Sequence, residues 1–543
     1  MKKKYKFLVF VNFITSLTLS SQNTIGTIIN SENSYDAYTL FTTGKETFLI
    51  NNCGQVINQW TSAFNSGKSV YLLENGNLLR ASAGPNPGNI AIPGVGGRIE
   101  LFDWEGNVLW GYVYSDLNAS QHHDIYPMPN GNILVLAASI LTDTEAIQLG
   151  RKPSNLTSNQ LYNEHILEIE PQGTDAVNII WRWDFKDHFI QDFDNTKDNF
   201  GVISENHQLM DINFLGESNG NANWMHINSV QYNEDLDQII LGSKTLSEFY
   251  IIDHSTTTEE AATNSGGNYG KGGDLLYRWG NPRAYGQGAL VDQKLFGQHN
   301  PHWISNGLLG EGKIILYNNG INRATLYSEI NIITPPTSAP GVYIKNSNTS
   351  FGPINPDYIY PSVGNTDFYS PILSSAQRLP NNNILICEGT SGRFFEIDSN
   401  DTIVWEYINP ISSGTILTQG DIPSSNNIFR AKKYALNYPA FTGKDLTPND
   451  PIEIVFNLSN CSALSTNEIA LNQIKAYPNP VKNVLTIDSP NSIQKIEVYT
   501  ILGKKVISTS NKNEIDVSTI AKGLYHLKIY LTDKVITKKV MKL

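Results

Sequence analysis

Short apolar runs separated by Asn- and Gly-rich turns recur along most of the chain, and this pattern predicts β-strands rather than helices. The clearest copy has an Asn turn at 381–383 followed by the apolar run Ile384-Leu385-Ile386-Cys387. A second run ends in Ile397-Asp398, and a third carries Trp405. An earlier unit, between residues 69 and 110, has the same order. Such regularity argues against a β-sandwich with accidental internal similarity.

Units of this kind, each of roughly 40 to 70 residues, can be traced six times. They begin near Tyr38, Ser69, His123, His226, His299 and Ala376. Several short strands per unit, with turns between them, are typical of propeller blades. We therefore predict an all-β fold with a six-bladed β-propeller over residues 30–455. Polar stretches at 140–163, 186–222 and 255–273 are expected to be surface loops, some of them walls of the central mouth.

Both ends of the chain depart from this repeat. The first residues combine lysines with an apolar run from Phe7 to about Leu19, which predicts a signal peptide over 1–21, with a retained anchor as the alternative. A polar linker is predicted at 456–472. Beyond it, lysine-rich alternating strands over 473–543 predict a small C-terminal β-sandwich.

The net charge of the chain limits the classes of function that are compatible with it. The 543 residues carry a formal net charge of −12, which disfavours a generic nucleic-acid binder but is compatible with a local cationic pocket. Of the three cysteines, Cys387 lies in an apolar run and is expected in the core. Cys53 and Cys461 have polar neighbours and could form a disulfide.

Histidines are the candidate chemical groups. The chain has only ten, yet His122-His123, His226 and His299 each stand upstream of a short apolar strand. A repeat fold would bring one imidazole per repeat to a shared place. Imidazole can act as nucleophile, hydrogen-bond donor and proton carrier near neutral pH. We find no HExxH spacing, Gly-rich phosphate loop or GxSxG in the sequence, so we expect neither a metal nor a cofactor.

The region from about 36 to 440 resembles the arylsulfate sulfotransferase (ASST-like) family. Matching stretches, in the same order and spacing, are His122-His123-Asp124, Trp224-Met225-His226-Ile227-Asn228-Ser229, Gln298-His299, Tyr317-Asn318-Asn319-Gly320 and Ser375-Ala376-Gln377-Arg378-Leu379-Pro380. The resemblance implies a six-bladed propeller that moves a sulfuryl group from a phenolic sulfate ester to a phenolic acceptor. It also implies a sulfohistidine intermediate and no nucleotide sulfate donor.

The resemblance assigns roles to individual residues. His299 aligns with the nucleophile, and His226 and one of His122 and His123 align with histidines that bind oxygens and handle protons. We favour His123 because it directly precedes Asp124 and keep His122 as a substrate-binding candidate. Lys244 stands where the family has an active-site arginine. Lysine keeps the charge but loses the planar fork that binds two oxygens, and Arg323 is a candidate replacement cation.

The tail resembles the type A C-terminal sorting domain of type IX secretion substrates of Bacteroidetes. The matching motifs are Tyr477-Pro478-Asn479-Pro480, Leu502-Gly503-Lys504 and Gly523-Leu524-Tyr525. This implies export, with the type IX machinery as a partner and a secreted or cell-surface location; whether the tail is removed stays open. The leading hypothesis is an exported aryl-sulfate sulfotransferase. The alternative is a non-catalytic, surface-displayed propeller that binds a ligand or glycan.

Overall fold

The structure, a computed structural model, describes residues 23–347, 349–461, 475–489, 492–500, 504–531 and 535–543. The predicted signal peptide at 1–21 and most of the predicted linker lie outside these residues. The chain divides into two compact units, with the boundary between Asn457 and Leu458. Among the described residues, no helix has the length and apolar character needed to cross a membrane.

The regular elements of the first unit are mostly short strands. In chain order, the first twelve are β1 Gly26–Asn30, β2 Ala37–Thr43, β3 Glu46–Ile50, β4 Val56–Thr61, β5 Ser66–Leu72, β6 Leu78–Ala83, β7 Gly97–Phe102, β8 Val108–Val113, β9 Ala119–Pro127, β10 Ile133–Thr142, β11 Gln160–Gln172 and β12 Ala176–Asp184. The next twelve are β13 Phe189–Ile190, β14 Met210–Asp211, β15 Ile227–Asn233, β16 Gln238–Ser243, β17 Glu248–Asp253, β18 Tyr277–Trp279, β19 His299–Trp303, β20 Ile314–Asn318, β21 Glu329–Ile333, β22 Thr337–Ala339, β23 Val342–Tyr343 and β24 Tyr358–Tyr360.

The unit ends with β25 Ser375–Arg378, β26 Ile384–Glu388, β27 Arg393–Ile397, β28 Ile403–Ile408, β29 Ile411–Ser412, β30 Thr415–Ile416 and β31 Ala431–Ala435. Two short α-helices interrupt the strands, α1 Asp143–Gln148 and α2 Thr258–Ala261. Both begin with a threonine capping box, in which the Thr side chain accepts from the third helical N–H. Short 3-10 turns lie at Pro153–Asn155, Phe185–His188, Ile203–Glu205, Pro282–Tyr285, Leu290–Asp292, Gly389–Ser391 and Pro439–Phe441.

Six antiparallel sheets of four or five strands organise these elements. Their strand orders are β31-β2-β3-β4, β5-β6-β7-β8, β9-β10-β11-β12, β15-β16-β17-β18, β19-β20-β21-β24 and β25-β26-β27-β28-β1. The first and last sheets each combine strands from both ends of the unit, through the β2–β31 and β1–β28 pairs. This pairing ties the chain ends of the unit together.

The sheets pack on one another in sequence. Separate apolar clusters lie between the first and second sheets, the second and third, the third and fourth, the fourth and fifth, and the fifth and sixth. Another cluster, containing Phe41 of β2 and Phe394 of β27, joins the sixth sheet to the first. The succession is therefore closed, and each of these six sheets packs against the sheet before it and the sheet after it.

Tryptophans on outer strands fix neighbouring sheets to each other. The Trp60 indole N–H donates to the carbonyl of Asp103 at 2.8 Å, and Trp110 donates to Ala176 at 3.1 Å. Trp405 of the last sheet donates to Asn52 at 2.8 Å, in a turn of the first sheet. A buried indole needs such a partner. The repeated Trp in the sequence is thus the side chain that links one sheet to the next.

The sequence predictions for this unit hold at the level of fold class and core. The chain is all-β, and Cys387 is a free, fully buried cysteine on β26. Both ends of one predicted loop, 140–163, are regular structure instead. Residues 140–142 extend β10 and 160–163 open β11, because these two strands form a long antiparallel hairpin with continuous pairing from Thr142 to Ile133.

The second unit is also all-β. A 3-10 turn, Ser459–Cys461, precedes strands β32 Lys475–Tyr477, β33 Val484–Asp488, β34 Ile493–Thr500, β35 Lys505–Ser510, β36 Glu514–Asp516, β37 Gly523–Leu531 and β38 Val535–Lys542. They form two sheets, β32-β33-β36 and β35-β34-β37-β38. One apolar core, with Leu485 and Leu527 at its centre, holds residues of both sheets.

A buried histidine gives the first unit a pH-dependent stability. His254 bonds Asp237 through Nδ1 at 2.7 Å and Glu168 through Nε2 at 3.0 Å. Burial opposes its charge, but these carboxylates outweigh burial and raise the pKa of His254 to about 9. Unfolding returns the imidazole to its ordinary pKa of about 6.5. The stabilisation is therefore complete below pH 6.5 and is lost as the pH rises towards 9.

We expect the free energy of unfolding to fall by about 1–3 kcal/mol between pH 6.5 and pH 9 through this group. Urea unfolding followed by tryptophan fluorescence at several pH values measures the change. His254→Gln keeps a hydrogen-bonding side chain but cannot be charged, so its profile should be flatter in this range. Equal slopes for the two proteins would contradict the assignment.

Candidate functional site

The predicted site histidines lie at irregular points of neighbouring inner strands. His123 and His226 have positive φ angles of 52° and 50°, and Asn300, next to His299, has 53°. The β9–β10, β15–β16 and β19–β20 pairings each shift register beside these residues. Left-handed backbone is uncommon for residues other than glycine, and bulges of this kind redirect side chains next to active sites.

The β5 strand carries the same irregularity. Lys68 has a φ of 104°, and the β5–β6 pairing shifts register around it. Its positive charge is among the groups that lower the pKa of His123. Lys68 was not among the predicted site residues, although its place upstream of the β5 apolar run matches that of the histidines in their own strands.

His299 is held in one tautomer by Asn319. The amide nitrogen of Asn319 donates to the carbonyls of Ser370 and Leu373, at 2.7 and 3.0 Å. Its oxygen therefore faces His299 and accepts from Nδ1–H at 2.8 Å. The proton is therefore fixed on Nδ1, and Nε2 carries the lone pair of the neutral imidazole.

His226 lies beside Lys244. Asn223 Nδ2 is 3.0 Å from His226 Nδ1, so with the amide donating, the imidazole proton lies on Nε2. The Lys244 backbone N–H donates to the His226 carbonyl at 3.1 Å. A Cβ built on Gly297, two residues before His299, would lie 3.7 Å from Cγ of Lys244. Lys244 therefore lies close to both His226 and His299, and its charge acts on both imidazoles.

His122 and His123 form a buried pair. Their Nδ1 atoms are 2.9 Å apart, and Nε2 of His122 is 3.4 Å from Oε2 of Glu164. The His123 ring lies against His226, with centroids 4.9 Å apart. His123 thus borders the other site histidines, and both ring nitrogens of His122 face protein groups.

Asp124 has a different role from the one expected. Its carboxylate accepts from the Arg430 guanidinium at 2.8 Å, the Val230 N–H at 3.2 Å and the Tyr71 hydroxyl at 3.3 Å. These three groups hold the Asp124 carboxylate in place. The place of His123 among the candidate residues therefore rests on its contacts with His122 and His226, and its adjacency to Asp124 adds no support.

A cavity of ≈ 450 Å³ opens at Lys244 and His226. Tyr162 and Glu217, from the predicted loops at 140–163 and 186–222, line its wall together with Pro93. This volume lies within the range of small-molecule sites, and the tyrosine and proline offer apolar surface. The arrangement can hold an aromatic anion with its charged group near Lys244.

The imidazoles of the site are uncharged near neutral pH. Burial, helped by Lys244, lowers the pKa of His299 to about 3 despite the bond to Asn319. Burial and the charge of Lys244 lower the pKa of His226 well below its usual value, and burial with the neighbouring histidines does the same for His123. Burial also lowers the pKa of Lys244. Neutral imidazoles can attack or donate without repelling one another.

Arg323 is engaged elsewhere. Its guanidinium binds Glu329 at 2.6 Å and the Tyr327 carbonyl at 3.3 Å, and it packs over the rings of Phe296 and Tyr327. The structure thus gives Arg323 a structural ion pair, whereas Lys244, Lys68 and Arg430 are cations that act on the site histidines.

Other residues of the site had no sequence signal of their own. Phe429 lies between two site histidines, with its ring centroid 6.2 Å from that of His123 and 6.5 Å from that of His299. Asn319 was part of a matched motif, but its bond to His299 spans 20 residues. In the part of the chain that the structure describes, no group of three or more His, Cys, Asp or Glu is arranged to hold a metal ion.

The chain is therefore an all-β protein built from small antiparallel sheets. Its clustered histidines and lysine make it a candidate for group transfer. The chain belongs to the arylsulfotransferase (ASST) family, whose model matches residues 27–421. Residues 475–543 match the secretion system C-terminal sorting domain. This tail indicates export by the type IX system to the cell surface or the extracellular space. No curated protein matches the chain.

Solved structures are similar only at a distance. A protein of unknown function from Bacteroides caccae is 12% identical with a TM-score of 0.36, covering 69% of this chain and 94% of that one. A streptogramin B lyase is 12% identical with a TM-score of 0.31, covering 72% and 85%. A putative 6-phosphogluconolactonase from Bacteroides fragilis is 10% identical with a TM-score of 0.34, covering 74% and 99%. Likenesses this weak carry no argument about function.

Proposed function

We propose that the protein is an exported aryl-sulfate sulfotransferase that works through a sulfohistidine on His299. The domain scheme is a signal peptide at 1–21, a six-bladed propeller at 30–455, a linker at 456–472 and a sorting domain with a sandwich fold at 473–543. The closed succession of six sheets supports the propeller. A phenolic sulfate ester is the donor and a phenol the acceptor, in keeping with the family.

One observation carries the proposal: His299 presents its Nε2 lone pair while Asn319 fixes its other nitrogen. In the first half-reaction Nε2 attacks sulfur, the S–Nε2 bond forms, and the S–O bond to the aryl group breaks. The electron pair passes to the phenolic oxygen, which takes a proton. In the second half-reaction an acceptor phenol loses its proton, its oxygen attacks sulfur, and the S–Nε2 bond breaks.

The remaining residues stabilise charge on the sulfuryl oxygens. Lys244 supplies a positive charge close to His226 and His299, and Nε2–H of His226 donates a hydrogen bond. Donors aimed at developing charge usually supply the largest share of rate enhancement. His123 handles the phenolic proton. His122 supports His123 and does not itself bind substrate, and Arg323 stabilises the neighbouring loop.

Release of nitrophenol from p-nitrophenyl sulfate, with and without added phenol, tests the proposal. We expect release that depends on the acceptor, together with formation of phenyl sulfate. A folded protein that releases no nitrophenol under either condition would contradict it. Such a protein, if it still bound the sulfate ester in calorimetry, would be the non-catalytic ligand-binding propeller.

Replacing Lys244 by arginine should raise the activity. A guanidinium can donate two parallel N–H hydrogen bonds to two sulfuryl oxygens, whereas an ammonium group lacks this planar, paired arrangement of donors. One additional charge-assisted hydrogen bond in the transition state is worth about 1.4 kcal/mol, or about tenfold in kcat/KM. Lys313→Arg, in an exposed pair with Asp357, is the matched control and should leave the rate unchanged. A lower rate for Lys244→Arg would show that the site is built around lysine.

A further inference from the structure

The buried carboxyl group of Glu164 has no role in the mechanism so far. Its Oε1 accepts the Ile227 N–H at 2.9 Å, beside His226. Its Oε2 and Nε2 of His122 are both buried without a hydrogen-bond partner in the described structure, and they are 3.4 Å apart. Two unsatisfied polar atoms facing each other inside a protein call for an explanation, because each costs free energy when unpaired.

A line of polar atoms leads from Glu164 to the site. It runs from Oε2 of Glu164 to Nε2 of His122, through the ring to Nδ1, and across 2.9 Å to Nδ1 of His123. The ring of His123 contacts that of His226. Nε2 of His123, at the end of the line, has no hydrogen-bond partner among the described residues.

We propose that Glu164 stores the proton of the transfer reaction and passes it through His122 and His123 to the leaving phenol. In the starting state the protons lie on the Glu164 carboxyl, Nδ1 of His122 and Nε2 of His123. When the S–O bond breaks, Nε2–H of His123 protonates the phenolic oxygen. Nδ1–H of His122 moves to Nδ1 of His123, and the carboxyl proton moves to Nε2 of His122.

This inference rests on the sulfuryl transfer proposed above. The final state has a Glu164 carboxylate, two neutral imidazoles and a neutral phenol, so charge and protons balance. The carboxylate keeps the Ile227 N–H as a donor. When the acceptor phenol reacts, each proton moves back one place and the carboxyl group is restored. Neither histidine becomes a cation at any stage.

The electrostatics favour a carboxyl group as the proton store. Burial lowers the pKa of His122 to about 3, and a neighbouring His165 acts in the same direction, although the Ala137 carbonyl opposes it. His123 faces His226, His299 and Lys68, which also disfavour a positive charge. Burial raises the pKa of Glu164 well above its usual value, although the Ile227 and His226 N–H groups oppose it, and this shift favours the protonated carboxyl group. A neutral imidazole can accept a proton on one ring nitrogen while it releases the proton of the other, so it need not become a cation.

The variant Glu164→Gln distinguishes a role of Glu164 in supplying a proton from a role in positioning its neighbours. Glutamine keeps an oxygen for the Ile227 N–H and can donate to His122, but it cannot give up a proton. Release of phenol from phenyl sulfate needs that proton, whereas nitrophenolate leaves without one. In single turnovers we expect Glu164→Gln to slow phenyl sulfate by about 10²–10⁴-fold and p-nitrophenyl sulfate by no more than about threefold.

The control is Glu168→Gln, the same change four residues along β11 at a buried carboxylate that binds Asn132 and His254. It should not slow the reaction of one donor more than that of the other.

His122→Phe is a second way to break the line and should reproduce the selective loss of phenyl sulfate turnover. Thermal melting shows whether each variant is folded. Equal loss on both donors in the two site variants would make Glu164 a structural residue only. Wild-type protein inactive on both donors would instead refute the proposed function.

Discussion

His299→Asn is expected to lower turnover of p-nitrophenyl sulfate by at least about 10⁴-fold, because it removes the nucleophile on which the whole exchange depends. Asparagine is smaller and polar, so it can keep a hydrogen bond near Asn319. The loss should appear in kcat, with donor binding affected much less. Stopped-flow release of nitrophenol measures the first half-reaction directly, and the overall exchange is measured by phenyl sulfate formation.

The same protein allows the intermediate to be located. With donor in excess and no acceptor, the sulfuryl group should accumulate on His299, and mass spectrometry of peptides should find it there. His302→Asn is the matched control, since His302 lies on the same strand with its Nδ1 2.9 Å from the Asn300 carbonyl. That variant should form the adduct normally. An adduct on His226 or His123 in the wild-type protein would reverse the role assignment.

The repeat was predictable because its physical cause is periodic. Five of the six sheets have a tryptophan whose indole N–H reaches the next sheet, so the pattern recurs in the sequence. Trp60, Trp110 and Trp405 each donate to a backbone carbonyl of the neighbouring sheet. A side chain that recurs for the same structural reason can be recognised in the sequence alone.

The site was only partly predictable because it depends on breaks in that regularity. Strict alternation would place His122 and His123 on opposite faces of β9. The left-handed backbone at His123 lets both rings meet, and no sequence motif marks it. Glu164 comes to His122 only through the β9–β10–β11 pairing, from about 40 residues away. The histidines were found from the sequence, whereas the groups that orient them were not.

The Asp124–Arg430 ion pair links strands from three sheets. Asp124 follows the site histidines on β9, and Arg430 precedes β31. Arg430 also donates to the Tyr71 hydroxyl of β5 at 2.7 Å. Asp124 is fully buried, and the Arg430 side chain is only 10% exposed. The pair therefore has little access to water that could replace either partner.

Asp124→Asn should consequently destabilise the first unit by about 3–5 kcal/mol, because it leaves the Arg430 charge buried without a counter-ion. Thermal and urea unfolding measure the loss. Asp357→Asn, which breaks the exposed pair with Lys313, should cost no more than about 1 kcal/mol. In the double variant Asp124→Asn with Arg430→Met the buried charge is gone, so part of the lost stability should return. A double variant as unstable as the sum of its single changes would mean that the two side chains act independently.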